Sequence, residues 1–284
     1  MIEIVDIRYC RLGTADLDST VAFAKEMIGL EEVDRADGQV YFRGDHRDHN
    51  ICYFEGDPND QSFGLELRSF ADLDAAARAL QAAGIDVRRG SEAEATARRV
   101  MGFINFADPT GNSVDLVVRP FHSGRRYFPS RDAGITDFSH IGLKTTDPAR
   151  DEGFWSELFN IRANDRIGAA ALMSFDAVHH RIALFPTDHA GIQHINFQVE
   201  TIDDIMRSHY FLSERQVQIR FGPGRHPTSG AMFLYYEGPD GMTYEYSSGV
   251  RTVDETWRPR QLPFKDESFC MWGSRPNIPE FSDS

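Results

Sequence analysis

Hydrophobic and polar residues follow one another along this 284-residue chain in short runs, which predict a mixed α+β protein rich in strands. In the first 120 residues, strand-like runs bounded by turn residues are interrupted by two longer segments with helical spacing. The predicted strands there are residues 6–14, 38–44, 49–55, 62–69, 99–106 and 113–118. The predicted helices are residues 17–28 and 71–83.

The same order of elements occurs twice, because the second half repeats the first at an offset of about 131 residues. Asp16 aligns with Asp147, and each is placed to cap the N-terminus of a helix. Gly29 aligns with Asn160 where a left-handed C-terminal cap is expected. We therefore predict an N-terminal module over residues 1–120, a linker over 121–135, a second module over 136–250 and a covering tail over 251–284.

Charge and composition narrow the set of partners. The chain has 44 acidic and 30 basic residues, a formal net charge of −14, so we expect neither nucleic acid nor an anionic membrane as a partner. No apolar stretch approaches the length of a membrane span. Cys10, Cys52 and Cys270 are odd in number and far apart, which argues against a disulfide framework. With no signal-peptide pattern at the start, we expect a cytoplasmic protein.

Two histidines and one glutamate lie inside strand-like runs of the second half. They are His140 in FSHIGL, His194 in GIQHINF and Glu245 in MTYEY. Two imidazoles and one carboxylate are the ligands of a facial triad, which suits Fe(II) or Mn(II) and leaves positions open. Three strands that curve around a cavity can direct three such side chains to one point. Zinc is less favoured, because catalytic zinc usually prefers a tetrahedral set of protein ligands and one water.

The repeat provides an internal comparison for these candidates. At the same offset, His140, His194 and Glu245 align with Tyr9, Phe63 and Asp115. Two of the three positions in the first half therefore lack a good ligand for such a metal. We predict that the first module is a scaffold and that the second module holds the metal.

These features resemble the type I extradiol ring-cleavage dioxygenases of the vicinal oxygen chelate superfamily, in particular the 2,3-dihydroxybiphenyl 1,2-dioxygenases. The segment 179–184 is similar to the family segment with a catalytic histidine, and residues 224–227 are similar to the one with a further histidine near the metal. Tyr235 stands ten residues before Glu245, where the family has a tyrosine. Residues 257–260 and 271–273 resemble the family's C-terminus, so the resemblance covers nearly the whole chain.

The resemblance implies that each module consists of two βαβββ units that form an incomplete barrel. It implies Fe(II), or less often Mn(II), in the C-terminal barrel, with a catechol and O2 as substrates. The ring would open between a hydroxylated and a non-hydroxylated carbon to give a muconic semialdehyde-type product, as part of the degradation of aromatic compounds. Association into a homo-oligomer is also expected from the family.

Catalytic roles follow from this resemblance and from histidine chemistry. His180 is the expected base for a catechol proton, because its Arg-Ile-Ala-Leu continuation fits the family pattern. His179 is expected on the opposite strand face, although the sequence leaves it open as the alternative base. His226 is expected to hydrogen-bond O2 or substrate, and Tyr235 to donate to a substrate oxygen; a packed strand tyrosine is the other interpretation. His49, which aligns with His180, is expected to be structural.

Two other functions fit the same fold. A glyoxalase-like metal-dependent isomerase or lyase usually takes ligands from both modules, and a non-catalytic small-molecule binding protein needs no metal. The two-His, one-Glu set in one module favours the dioxygenase over both. Within that family the substrate stays open, because Ser229 and Gly230 occupy positions where biphenyl enzymes tend to have Asn, Asp or His.

Overall fold

The computed structural model describes residues 1–281 and contains two β-sheets, one in each half of the chain. Eight strands form the first sheet and ten form the second. The predicted α+β architecture of two tandem, sheet-dominated modules is therefore confirmed. The exact domain boundaries given above stay a prediction.

The first sheet lies between residues 6 and 120. Its strands are β1 (Asp6–Thr14), β2 (Glu31–Ala36), β3 (Gln39–Arg43), β4 (Ile51–Glu55), β5 (Gln61–Leu67), β6 (Arg88–Arg89), β7 (Val100–Ala107) and β8 (Ser113–Pro120). Its helices are α1 (Leu17–Phe23), which continues as a π-helical turn over Ala24–Ile28, α2 (Phe70–Ala82) and α3 (Glu92–Ala97). The strand order is β2-β3-β4-β1-β5-β8-β7-β6.

The second sheet repeats this arrangement and adds an edge strand at each side. Its strands are β9 (Ile135–Thr145), β10 (Arg162–Ile167), β11 (Ala170–Ser174), β12 (Ile182–Pro186), β13 (Ile192–Val199), β14 (Ile219–Arg225), β15 (Met232–Glu237), β16 (Thr243–Ser248), β17 (Arg260–Leu262) and β18 (Trp272–Gly273). Its helices are α4 (Pro148–Leu158), α5 (Ile202–Glu214) and α6 (Asp266–Phe269), with 3₁₀ turns at Pro239–Gly241 and Pro279–Phe281. The strand order is β17-β10-β11-β12-β9-β13-β16-β15-β14-β18.

Each module consists of two βαβββ units whose first strands lie side by side. In the first module β1 pairs antiparallel with β5 and parallel with β4, and β5 pairs parallel with β8. In the second module β9, β12, β13 and β16 pair in the same way. The first strands of the two units therefore form the centre of each sheet. This central position determines where the candidate metal ligands lie.

The helix caps follow the repeat at three of four positions. The carboxylates of Asp16 and Asp147 accept from the backbone N–H three residues later, as expected for N-caps. Gly29 has φ 80° and ends its helix in the left-handed conformation. The prediction of a left-handed cap at Asn160 is wrong, because the chain is already extended at Phe159. The Asn160 amide instead makes two hydrogen bonds to the backbone of Ile4, at 2.8 and 3.0 Å.

Two strands and one helix of the first module were not predicted. The strand β2 consists of charged residues and Ala and Val with no buried position, so it lacks an alternating apolar face. The strand β6 has two exposed arginines, and α3 is a six-residue helix held by a capping box between Ser91 and Glu94. Short, exposed elements of this kind produce little hydrophobic periodicity.

The tail completes the second sheet at both edges. β17 pairs parallel with β10, and β18 pairs antiparallel with β14. A single cluster of buried apolar residues extends through both modules, and the hydroxyls of Tyr53 and Tyr244 lie 2.6 Å apart between them. Within residues 1–281, no helix is both long enough and apolar enough to span a membrane.

Candidate metal centre

Three neighbouring central strands of the second module bring the candidate ligands together. His140 lies on β9, His194 on β13 and Glu245 on β16, and all three are almost completely buried. In the register of the sheet, His194 lies opposite Gly142 of β9 and Thr243 of β16. Each ligand therefore comes from a different strand of one continuous sheet.

The distances between the ligand atoms fit one metal ion. Nε2 of His140 is 3.1 Å from Nε2 of His194 and 3.1 Å from Oε2 of Glu245, and Nε2 of His194 is 3.4 Å from the same oxygen. A metal about 2.2 Å from three ligands at right angles to one another would hold them about 3.1 Å apart. The three atoms could therefore bind one metal ion together, as in a facial triad.

The hydrogen bonds around these side chains leave the ligand atoms available. Within the described residues, Oε2 of Glu245 is buried without a hydrogen-bond partner, although buried polar atoms are normally paired. Gln193 Oε1 accepts from Nδ1–H of His194, which places the lone pair of His194 on Nε2. Nδ1 of His140 has no hydrogen-bond partner among residues 1–281.

The protonation states also suit a cation. Burial lowers the pKa of His194 to about 3, so this imidazole is neutral at neutral pH. Burial would raise the pKa of Glu245, but its contacts with His140 and His226 hold that pKa well below its usual value. A neutral imidazole and an ionised carboxylate are the forms that bind a metal.

Gly142 provides the space for the His194 ring. A Cβ atom at this position would lie 2.4 Å from Nδ1 of His194 and 2.6 Å from its Cε1. Any side chain there would displace the ring or the strand. This glycine is a functional position that the sequence did not identify, because the contact depends on the register between β9 and β13.

His180 lies beside the predicted metal position. Its ring centroid is 4.2 Å from that of His140, and it is buried just before β12 begins at Ile182. Burial, followed by the charges of His140 and His179, holds the pKa of His180 well below its usual value. His180 is therefore a neutral imidazole next to the ligands, which is the form that can accept a proton.

His226 and Tyr235 form a second polar group, which lies beside Glu245 and His194. Nδ1 of His226 donates to the backbone oxygen of Phe269 at 2.7 Å, so in the neutral ring Nε2 accepts from the Tyr235 hydroxyl at 3.2 Å. Nε2 of His226 is also 3.6 Å from Oε1 of Glu245. Burial, together with the Glu245 charge, raises the pKa of Tyr235 well above its usual value, so its hydroxyl stays a hydrogen-bond donor.

Aromatic residues from the tail cover the centre. Phe281 is buried, with ring centroids 4.8 Å from Phe185, 5.8 Å from Tyr235 and 6.5 Å from His194. It also stacks on Phe269 at 5.1 Å. Phe281 and Phe185 were not predicted as part of the site, because contact between a tail and a distant strand produces no local pattern in the sequence.

The first module has a different set at the equivalent place. Ser62 lies opposite Arg11 and Ser113, as His194 lies opposite Gly142 and Thr243, so the counterpart of His194 is Ser62. The alignment of His194 with Phe63 is therefore wrong by one residue. The offset is 132 on this strand, as it also is between the helix caps Ser69 and Thr201.

In the first module an arginine neutralises the buried carboxylate. Nε of Arg98 donates to Oδ2 of Asp115 at 2.7 Å, and the Tyr9 hydroxyl donates to the same oxygen at 3.0 Å. Asn105 donates to the other oxygen at 3.0 Å. Asp115 is thus fully paired, whereas Glu245 is not, and the first module needs no metal to balance its charge.

The fold and the ligand set define a metal-binding protein built from duplicated βαβββ units. The chain belongs to the Glyoxalase/Bleomycin resistance protein/Dioxygenase superfamily, whose family model matches residues 6–116 and 137–246.

Within this superfamily, the sequence is similar to two proteins named as dioxygenases, and the fold is similar to that of one solved structure. The chain is 28% identical over 271 residues to the 1,2-dihydroxynaphthalene dioxygenase of Sphingobium xenophagum, covering 88% of this chain and 90% of that protein. It is 25% identical to the iron-dependent extradiol dioxygenase of Rhodococcus jostii, covering 96% and 97%. The crystal structure of homoprotocatechuate 2,3-dioxygenase from Arthrobacter globiformis shares the fold, with a TM-score of 0.89, 22% identity and coverage of 100% and 92%.

Proposed function

We propose that this protein is an extradiol dioxygenase that cleaves a catecholic aromatic ring at a non-heme Fe(II) centre. The observation that supports this most directly is the triangle of His140, His194 and Glu245, whose spacing and unpaired carboxylate oxygen suit one octahedral ion. The similar proteins named above as dioxygenases support the reaction. Mn(II) has the same preference for nitrogen and carboxylate ligands, so it is the alternative metal.

Fe(II) held by these three residues would supply the redox chemistry that joins O2 to the ring, while the protein supplies position and proton transfer. His180 accepts the proton that a catechol hydroxyl loses as it binds, because it is neutral and adjacent to the ligands. Tyr235 and His226, which are hydrogen-bonded to one another, lie where they can hold a substrate oxygen or transfer a proton to the product.

The substrate class is a catechol with an aromatic or apolar substituent. Phe185, Phe281 and Phe221 contribute apolar rings around Tyr235 and His194, so this part of the centre favours a hydrophobic ring over a charged group. The Sphingobium relative acts on a two-ring diol by its name, and we propose the same class here.

The other two candidate functions fit less well. A glyoxalase-like isomerase would be expected to use ligands from both modules, whereas the cluster found among residues 1–281 lies in the second module alone. A binding protein without a metal has no need for a buried carboxylate with an unpaired oxygen.

The reaction is tested by oxygen uptake. The protein would be loaded with Fe(II) without air and mixed with catechol, 3-methylcatechol, 2,3-dihydroxybiphenyl and 1,2-dihydroxynaphthalene in buffer of known O2 content. We expect O2 consumption with at least one diol and a coloured ring-opened product. Glu245→Gln, which keeps the size of the side chain but removes its charge, should consume little O2. No uptake with any diol by fully loaded protein would contradict the proposal.

We also propose that the protein acts in the cytoplasm as a homo-oligomer. All three cysteines are free, as expected of a reducing compartment. Ile202, Met206 and Tyr210 are exposed on one face of α5, which offers an apolar surface for a second copy. Light scattering at micromolar concentration would test association, and a monomeric mass would contradict it; cell fractionation would test the location.

A further inference from the structure

His179, the neighbour of the expected base, is buried in a polar contact that the reaction described above does not use. Its side chain and that of Asp165 on β10 are both completely shielded from solvent. Nε2 of His179 is 2.9 Å from Oδ2 of Asp165, and its Nδ1 is 3.1 Å from Nδ1 of His180. The His179 ring contacts the Asp165 carboxylate and the His180 ring, whereas His180 lies against the candidate ligand His140.

The carboxylate is held firmly by the tail. The backbone N–H and Nε of Arg260 each donate to Oδ1 of Asp165 at 3.0 Å. Nη2 of Arg260 also donates to Oδ2 at 2.5 Å, the oxygen that faces His179, so Arg260 holds both oxygens of the carboxylate. Asp165 is therefore oriented independently of the histidines.

Donor and acceptor rules then determine where the protons lie. An ionised carboxylate only accepts, so Nε2 of His179 must donate to Asp165. A neutral imidazole has one N–H, so Nδ1 of His179 accepts, and its donor is Nδ1–H of His180. In a neutral His180 the remaining lone pair lies on Nε2, and no protein group among residues 1–281 is hydrogen-bonded to that atom.

The ionisation states support this assignment. Burial would raise the pKa of Asp165, but hydrogen bonds from His179 and Arg260 hold it below its usual value. Burial lowers the pKa of His179, although Asp165 opposes this change. Near neutral pH the pair is therefore a carboxylate and a neutral imidazole.

We propose that Asp165 and His179 are positioning residues that hold His180 as the Nδ1–H tautomer, so that Nε2 presents its lone pair to the catechol hydroxyl. This inference rests on the proposed function for its consequence, but the tautomer itself can be measured without any reaction. The transferred proton moves from the hydroxyl to Nε2 of His180. Nδ1–H of the resulting imidazolium continues to donate to His179, which donates to the Asp165 anion and so stabilises the new charge.

The first module provides a contrast. His49 aligns with His180, and Asp48 takes the place of His179 with an oxygen 3.5 Å from Nδ1 of His49. Arg99 donates to that Asp48 carboxylate at 3.1 Å. The first module thus has a carboxylate paired with Arg99 where the second module has a buried histidine, so the fold itself does not require His179.

Nitrogen NMR tests the tautomer directly. The protein would be labelled with 15N-histidine and loaded with Zn(II), which is diamagnetic, and two-bond 15N–1H spectra would identify the protonated nitrogen of each ring. We expect the proton of His180 on Nδ1 and that of His179 on Nε2. In His179→Phe, which keeps the volume but removes the acceptor, a share of His180 should move its proton to Nε2. A wild-type His180 with its proton on Nε2, or no change in the variant, would overturn the proposal.

Kinetics tests the consequence. His179→Phe should lower kcat roughly tenfold or more, with KM for the diol and bound iron changed by less than about threefold. His179→Asn can place an amide oxygen near the Nδ1 position and should recover part of kcat. A kcat for His179→Phe within twofold of wild type would overturn the positioning role.

A matched variant separates positioning from local packing. Asn164 donates to the backbone oxygen of His179 at 2.8 Å but does not contact its ring. Asn164→Ala should lower the midpoint of thermal unfolding but keep the His180 tautomer and kcat. If Asn164→Ala lowers kcat as much as His179→Phe does, the loss in both variants is due to local folding and not to positioning. If wild-type protein shows the expected tautomers but cleaves no diol, the proposed function fails while the hydrogen-bond assignment stands.

Discussion

At the scale of residues, the two modules differ in how fully the oxygens of their buried carboxylate are hydrogen-bonded. Among residues 1–281, oxygen Oε2 of Glu245 is buried without a hydrogen-bond partner, while both oxygens of Asp115 accept hydrogen bonds. Burying a carboxylate among neutral imidazoles is costly, so a cation bound there would stabilise the site of Glu245. His194 is neutral, so its burial does not carry the cost of burying a charge.

Removing one ligand should remove the metal. In His194→Ala the remaining histidine and carboxylate leave one of three positions empty, so we expect bound iron to fall to less than about a tenth of wild type, in line with the loss typical of metal-site changes. Metal content by mass spectrometry of the purified protein measures this. His189→Ala is the control, since His189 is exposed and lies outside the cluster. Wild-type iron content in His194→Ala would show that another set of ligands is used.

Removing the base should leave the metal in place. His180→Phe preserves the size of the ring beside His140, so iron should stay bound, but the proposed acceptor of the hydroxyl proton is removed. We expect kcat to fall by roughly 100-fold or more, the usual scale for an acid–base group. Stopped-flow absorbance of the ring-opened product measures the rate. Turnover at the wild-type rate would assign the proton transfer to another residue.

The candidate metal ligands could be predicted from the sequence because each is a polar residue within an apolar, strand-like run. The repeat indicates that the fold does not require them. Gly142 and Asp165 could not be predicted in the same way. Each acts through a neighbour that is distant in sequence or on another strand, such as the His194 ring above Gly142. Such contacts depend on register, which a single sequence does not determine.

At the scale of elements, the pairing of strands determines which side chains converge. The central position of β9, β13 and β16 brings three ligands together from residues that are up to about 105 positions apart in the chain. The strand order was not predicted, and one residue of difference in offset misplaced the counterpart of His194 at Phe63. Strands and helices with strong periodicity were predicted, while the charged strand β2 was not.

The tail contact with the centre should affect substrate binding more than metal binding. Phe281→Ala removes the ring that lies between Phe185, Tyr235 and Phe269. Loss of a buried phenyl group costs about 3–5 kcal/mol in a protein core, so we expect the tail to dissociate from the sheet more often. KM for the diol should rise and limited proteolysis of the tail should be faster, with iron content unchanged. Unchanged KM and proteolysis would show that the tail does not shape the site.

At the scale of the whole molecule, two related modules share one apolar core but have separate tasks. Arg98 supplies the cation in the first module, whereas the second has a triangle of ligands suited to a metal. We therefore expect one metal ion per chain. The division of tasks could be inferred from sequence, but the replacement of a metal by an arginine became visible only in the structure.

The first module should influence stability at low pH and not turnover. Burial is the largest cause of the lowered pKa of His49, so the unfolded chain binds a proton more readily than the folded one. The contribution of neutral His49 to the free energy of unfolding is fully present above the pKa of a free imidazole, about 6.5. It decreases as the pH falls below that value. His49→Phe should keep kcat. Between pH 7 and pH 5 its unfolding free energy should decrease less than that of the wild type, by up to about 1.4 kcal/mol per pH unit. Urea unfolding at both pH values measures this, and a steeper loss in the variant would contradict it.

The identity of the ring-opened product tests the central claim most directly. Fe(II)-loaded protein would be given 2,3-dihydroxybiphenyl and O2, and the product would be analysed by mass spectrometry and NMR. The proposed reaction predicts one product that contains both oxygen atoms of O2 and has one carboxylate and one unsaturated keto or aldehyde end, formed by cleavage beside the diol. A dicarboxylate from cleavage between the two hydroxyl carbons, or a quinone with no oxygen incorporated, would contradict it.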